Sequence, residues 1–314
     1  MIEVVKCMPG TTVQDNGRSG YRRIGVGTAG ALDQLALSVG NVLLGNDQSA
    51  PAIEILICPF EIRFGADCRF SVTGAAAKAS LDGLVLPPWW CTQARKGQVL
   101  RLSGSPTGGI AYLCLQGGVS VHQVLHSSST DLKGAFGGYE GRMLKTGDVL
   151  HFGQARGVPT TSSFGACPPE RELLKSLRFM PGFEFEQLTS NARREFWSTE
   201  WTVSRQSNRI GYGLVGPVLD LGKNVELLSY AFLPGLMQLP PNGQPIVMLA
   251  DAQTSGGYPR LGTVIESDLR LLAHSAAGTQ VRLVECSVEE AAAAESADAN
   301  YLTAVKRMRE VICR

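Results

Sequence analysis

Most of the residue patterns that announce an enzyme class are missing from this chain. Histidine occurs four times in 314 residues, at 122, 126, 151 and 274. His122 and His126 have the spacing that puts two imidazoles on one helical face, but no third ligand lies near them, so no metal site is expected. The eight cysteines, at 7, 58, 68, 91, 114, 167, 286 and 313, include no CxxC pair. Several sit in apolar runs such as Ile57-Cys58 and Leu113-Cys114-Leu115, as small buried thiols do in a reducing compartment. No segment reads as a Walker A loop, an HExxH helix or a GxSxG elbow. Lysine and arginine (29) nearly balance aspartate and glutamate (28), and a net charge of +1 offers nothing to nucleic acid or an anionic membrane. No apolar run approaches the ~20 residues of a membrane helix. The opening MIEVVKCMPG lacks a basic stretch followed by an apolar one, so a soluble cytoplasmic protein is expected.

Glycine, by contrast, is plentiful at 36 residues, and 44% hydrophobic with 18% charged content describes a chain able to fill its cores. Short β-like runs follow one another from residue 52: AIEILI, EIRFG, CRFSVTG, ASLDGLVL, QVLRLSG, IAYLCLQGG and GDVLHFG, each bounded by Gly, Pro or Asp. Asp82-Gly83 is the strongest hairpin signal among them. Helical spacing appears at 31–44, stopped by Gly45, then at 183–198 and 287–314. The 153–176 stretch has linker composition. The expected organisation is a mainly β fold with few helices: an N-terminal barrel-like domain (1–155), a linker (156–176), a C-terminal β-barrel domain (177–286) and a helical tail (287–314). The segment 25–30 matches GxGxxG literally. It follows SGYRRI rather than a buried strand and opens no βαβ unit, so it is not a dinucleotide site.

The densest polar loop lies between two apolar runs, 245–250 and 261–265. It reads Asp251-Ala252-Gln253-Thr254-Ser255-Gly256-Gly257-Tyr258, longer than a hairpin needs. Asp251 is a candidate base for water. Gln253, Thr254 and Tyr258 are candidate ligand contacts, and Gly256 and Gly257 suit close backbone approach. Asn208, Arg209, Gln238 and Gln244 lie in similar loops, as do Asp15 and Arg18 near the start. Arg18, Arg142 and Arg209 each stand near glycines, a setting that points to an anionic or carboxylated ligand.

Motifs along nearly the whole chain resemble the allophanate hydrolase subunit 2 family. They are VQDNGRSGYRRIGVGTAGALD (13–33), GNVLLGN (40–46), YLCLQGG (112–118), SSST (127–130), GGYEGRMLKTGD (137–148), SNRIGYGL (207–214) and GLMQLPPNGQPIVMLADAQTSGGYP (235–259). The family includes the C components of 5-oxoprolinases, the carboxyltransferase-like part of urea amidolyases and an antagonist of a sporulation-kinase inhibitor. The resemblance implies two cyclophilin-like β-barrel domains and a partner of the subunit 1 family, which is the B-like component of oxoprolinases. In those enzymes an A-like component joins the pair. The resemblance also implies ATP-driven opening of the lactam of 5-oxo-L-proline to L-glutamate. Two departures stand out. His126 and Ser128 replace the glycine and the arginine of the G-S-R-S-T that many relatives carry, and His274 replaces a glutamine that is frequent among them.

Three functions follow as expectations. The first is the C component of an ATP-dependent 5-oxoprolinase, with Arg18 and Arg209 as cations, Asp251 as base and a nucleotide site shared with or lying on a partner. The second is a non-catalytic regulator of a subunit 1 protein. The third is one component of a biotin-dependent carboxyltransferase, although the chain has no biotin-carrier segment and biotin is not expected.

Overall fold

In the computed structural model the chain is described at residues 1–75, 78–104, 109–154, 162–169, 176–222 and 227–313. It divides into two compact units, neither continuous in sequence: Met1–Arg18 with Ala29–Pro169 and Ala299–Arg314, and Ser19–Thr28 with Glu170–Asp298. The expected linker at 156–176 falls in large part on 155–161 and 170–175, outside the described residues. Within it Phe164–Gly165 forms a strand against Trp90 and Cys91.

The first unit is built on two antiparallel sheets. One has seven strands in the order Val119–Ser120, Val149–Phe152, Ile2–Lys6, Phe60–Phe64, Val99–Ser103, Lys78–Leu81, Leu84–Leu86. The other has six: Phe164–Gly165, Trp90–Ala94, Cys68–Gly74, Ala111–Leu115, Ala52–Ile55, Thr12–Gln14. Ile2, Val4, Ile62 and Phe64 from the first join Val13, Ile53, Phe70 and Leu113 from the second in one core. Asp82 and Gly83 turn the expected hairpin with φ of 48° and 89°. Positive φ at both positions is what a two-residue hairpin of native twist requires.

Helix α1 (Gln34–Leu44) covers the six-stranded sheet. It starts three residues later than its apolar spacing predicts. The Asp33 side chain accepts from the Ala36 amide at 2.9 Å and caps it, while the amides of Ala31, Leu32 and Asp33 bond outward to Asp15, Glu54 and Tyr112. Gly45, at φ 75°, ends it as expected. Ser71 and Thr73 hydroxyls donate to the Gly40 and Ala36 carbonyls at 2.7 Å, and a Cβ at Gly40 would come within 2.7 Å of the Cys114 Sγ. The helix therefore lies close on the sheet, and the strand Cys68–Gly74 is buried along its whole length.

The second unit closes a seven-stranded barrel: Ser176–Pro181, Arg260–Val264, Leu236–Gln238, Ile246–Met248, Gly211–Val215, Trp201–Val203, Gln280–Glu285. The ring is sealed by the parallel pairing of Ser176–Phe179 with Arg282–Glu285. Closure leaves no open edge on these strands. The expected helix at 183–198 is split. A 3-10 turn, Phe183–Gln187, is followed by α2 (Ser190–Ser198). Leu188 is extended and bridges to Leu221, and the Thr189 hydroxyl accepts from the Ala192 amide at 3.2 Å, so a cap stands where helix was expected. Helix α3 (Glu266–Ala273) was not foreseen. Its signals are Glu266 and Asp268 in the first turn and buried Leu269 and Leu272, in a piece too short for periodicity to declare. Helix α4 (Val288–Ile312) occupies most of the expected tail. Among the described residues no helix is long and apolar enough to cross a membrane.

Candidate functional site

The loop after Ile246–Met248 is set by an ion pair at its first residue. Arg209 Nε donates to Asp251 Oδ2 at 2.8 Å and its terminal nitrogen to Oδ1 at 2.9 Å. The two side chains are 5% and 12% exposed. The Asp251 amide also donates to the Arg209 carbonyl at 3.0 Å. A carboxylate gripped by a guanidinium fork on both oxygens is well placed to hold a loop. As the base expected from the sequence, it would take a proton from water on a lone pair that the fork leaves open.

Beyond Asp251 the chain turns. Gln253 is exposed, and its carbonyl accepts from Arg22 at 3.3 Å. The Thr254 carbonyl accepts from the Phe232 amide at 3.0 Å, and Ser255–Gly256 pairs with Tyr230–Ala231 as a two-stranded ribbon. Neither Gly256 nor Gly257 is among the glycines with positive φ. Gly256 is required for another reason: a Cβ there would lie 2.2 Å from the Phe232 ring. A Cβ on Gly257 would meet only the Leu227 carbonyl, at 3.2 Å. The Tyr258 ring is half-exposed.

A second set of bonds holds the far end of the loop. Tyr230 Oη donates to the Tyr258 carbonyl, and Gln238 Nε2 donates to Tyr230 Oη at 2.6 Å. The Arg260 guanidinium lies 4.5 Å above the Tyr230 ring and is itself gripped by buried Glu184 at 2.7 and 3.0 Å. Burial raises the pKa of the Tyr230 phenol, against the pull of the Gln238 amide and the Arg260 charge. Sequence reasoning missed Tyr230, Arg260 and Glu184. Glu184 stands between Phe183 and Phe185, and Tyr230 lies in an apolar run, so neither carries a polar-loop pattern.

The remaining expected residues divide. Gln238 joins the loop. Gln244 does not: its Oε1 accepts from the Gly216 amide at 2.9 Å and its Nε2 donates to the Gly216 carbonyl at 3.2 Å, tying two turns together. Asn208 shapes its own turn, with Oδ1 accepting from the Ile210 amide at 2.8 Å.

In the first unit, Asp15 and Arg18 are buried. Asp15 accepts from the Ser127 and Ser129 hydroxyls at 2.7 and 2.5 Å and from the Ser128 and Gly17 amides at 2.5 and 2.8 Å. Arg18 donates to the Ser129 and Val124 carbonyls and lies 4.7 Å over the Phe136 ring. The pair builds the SSST loop from within. His126 has a φ of 59°, a conformation that glycine adopts without strain and that fits the glycine the resemblance implies here. His122 and His126 lie on an irregular, exposed segment, so no helix face brings them together. Arg142 is paired with Asp148 at 2.7 and 2.9 Å and with Glu140. The three arginines expected to meet an anion are thus all engaged by groups of the protein itself. Among the described residues no group of three or more His, Cys, Asp or Glu is placed to hold a metal ion.

Comparison with known proteins adds to this geometry. The model of the family described as carboxyltransferase domain, subdomain A and B, matches residues 24–285. The C component of the Haemophilus influenzae 5-oxoprolinase is 39% identical over 309 residues, 98% of this chain and 98% of that protein. The protein of the same name in Escherichia coli K12 is 41% identical over 302 residues, 96% of each. Among solved structures, the urea amidolyase of K. lactis superposes with a TM-score of 0.87 at 25% identity, covering 97% of this chain and 20% of that one.

Proposed function

The chain belongs to the carboxyltransferase domain, subdomain A and B, family, and from that premise we propose that it is the C component of an ATP-dependent 5-oxoprolinase. In this reading it works with a B-like component of the subunit 1 family and an A-like component, and the assembly hydrolyses the lactam of 5-oxo-L-proline to L-glutamate. The observation that carries the reading is end-to-end correspondence with two relatives named as 5-oxoprolinase C components, at 39% and 41% identity over 98% and 96% of both partners. The urea amidolyase likeness spans only 20% of a much longer chain. It supports a second reading, one component of a carboxyltransferase.

A lactam is a poor electrophile, and ATP-driven opening needs cations for the nucleotide's phosphates and a placed water. Arg18, Arg142 and Arg209 are held by internal partners, so these residues do not fit a triphosphate. Our reading therefore assigns the nucleotide to a partner protein and gives this chain the lactam. The Arg209–Asp251 pair and the Gln238–Tyr230 bond fix the two ends of the loop. Gln253, Thr254 and Tyr258 are presented from it to orient the ring. Arg209 and Asp251 act as positioning residues.

The test is co-expression with the B-like and A-like components, followed by 5-oxoproline turnover with ATP. Turnover by the assembly and none by the single chain is expected. An assembly that is inert toward 5-oxoproline but moves a carboxyl group from carboxybiotin to urea would replace this reading with the second.

A further inference from the structure

Arg22 has no counter-ion among the described residues. It sits in the 3-10 turn Arg22–Ile24 of the second unit. One terminal nitrogen donates to Thr28 Oγ1 at 3.2 Å and the other to the Gln253 carbonyl at 3.3 Å. Both bonds are long and both acceptors are neutral. Its Nε is enclosed and has no acceptor among the described residues. Among those residues no carboxylate forms an ion pair with it, and burial pulls its pKa below the ordinary value with no offsetting charge. Arg142, Arg178, Arg209, Arg260 and Arg270 each face a carboxylate instead.

A half-buried guanidinium with only neutral partners is an electrostatic cost, which an arriving anion would relieve. Arginine carries five N–H donors, and the two bonds here leave each terminal nitrogen one N–H to offer. Two such donors side by side match the two oxygens of a carboxylate. The position is also well defined. A Cβ on Gly27 would lie 3.5 Å from the Ala252 carbonyl, so the Arg22 turn runs against the loop that Arg209 and Asp251 anchor.

We infer that Arg22 receives the carboxylate of the small-molecule substrate, its guanidinium steadied on the Gln253 carbonyl so that the ring beyond lies along the Gln253–Tyr258 loop. This rests on the 5-oxoprolinase reading for the site and adds to it the group that distinguishes a carboxylated lactam from a neutral one.

The experiment compares 5-oxo-L-proline with 5-oxo-L-prolinamide on the assembled enzyme, in the wild type, Arg22→Gln, Arg22→Lys and the neighbouring Arg23→Gln. Losing a charge-assisted carboxylate contact should raise KM for the acid by roughly 10- to 100-fold in Arg22→Gln, with kcat little changed. KM for the amide should stay where it was. Arg22→Lys should recover part of the loss, and Arg23→Gln should behave as wild type. An unchanged KM for the acid, an equal rise for both compounds, or the same loss in Arg23→Gln would overturn the inference while leaving the function intact. If the wild-type assembly turns over neither compound, the function fails and calorimetry on the full chain decides the site. A preference for the acid that Arg22→Gln abolishes would keep the carboxylate site under another reaction, and equal affinities would end it.

Discussion

Arg209 and Asp251, 42 residues apart, meet through two hydrogen bonds of 2.8 and 2.9 Å where the long polar loop leaves the barrel. Removing one partner of so enclosed a pair strands the other charge. Arg209→Met should cost about 3–5 kcal/mol in denaturant unfolding, and the double change Arg209→Met with Asp251→Leu should recover most of that. Turnover by the assembled enzyme should stay low in the double variant, because an apolar pair gives the loop no directional bond. Full turnover there would remove the loop-holding role.

Gly256 faces the Phe232 ring so closely that a Cβ would sit 2.2 Å away. Gly256→Ala should lower stability by about 1–3 kcal/mol through overpacking. Gly257→Ala, whose Cβ would meet one carbonyl at 3.2 Å, should cost less. Pairing Gly256→Ala with Phe232→Leu should narrow the gap by making room. Thermal unfolding of the four proteins checks the order.

Tyr230→Phe removes the hydroxyl that Gln238 donates to and that donates to the Tyr258 carbonyl. Gln238 is 3% exposed, so its amide would keep only the long 3.5 Å bond to the Tyr258 carbonyl. A loss of about 1–3 kcal/mol is expected. Hydrogen exchange should rise along the loop from Gln253 to Tyr258 and stay unchanged in the sheets of the first unit. Uniform exchange changes would contradict a local anchor.

Asp148 gives a pH signature. Burial favours its protonated form, but hydrogen bonds from Arg142 and the Lys145 amide outweigh that and hold its pKa below the ordinary 3.8. A carboxyl whose pKa is depressed on folding stabilises the native state above its unfolded pKa and loses that contribution as pH falls through the folded one. The stability gap between wild type and Asp148→Asn should therefore be full at neutral pH and shrink below about pH 4. A gap that persists to pH 2 would mean that packing, not charge, carries the effect.

Much of this protein was legible in one dimension because much of it is local. Strands punctuated by Gly, Pro and Asp, the hairpin at Asp82-Gly83 and the end of α1 at Gly45 depend on φ preferences and on neighbours a few residues away. The family motifs were legible for the same reason, being short strings. Even local reading failed where the competing interaction came from afar. The bridge from Leu188 to Leu221 and the Thr189 cap split a segment whose spacing reads as one helix.

Which polar residues are free to act was decided by tertiary structure alone. Arg18, Arg142 and Arg209 share a glycine-flanked setting with binding arginines, and each proved to be engaged inside its own unit. Arg22, one of two adjacent arginines in a short turn, stands 231 residues from Gln253 in sequence and 3.3 Å from its carbonyl. A charge's worth depends on what the folded chain sets beside it. Strand register and barrel closure fix those neighbours across 42, 76 or 231 residues, separations over which sequence spacing carries no geometric information.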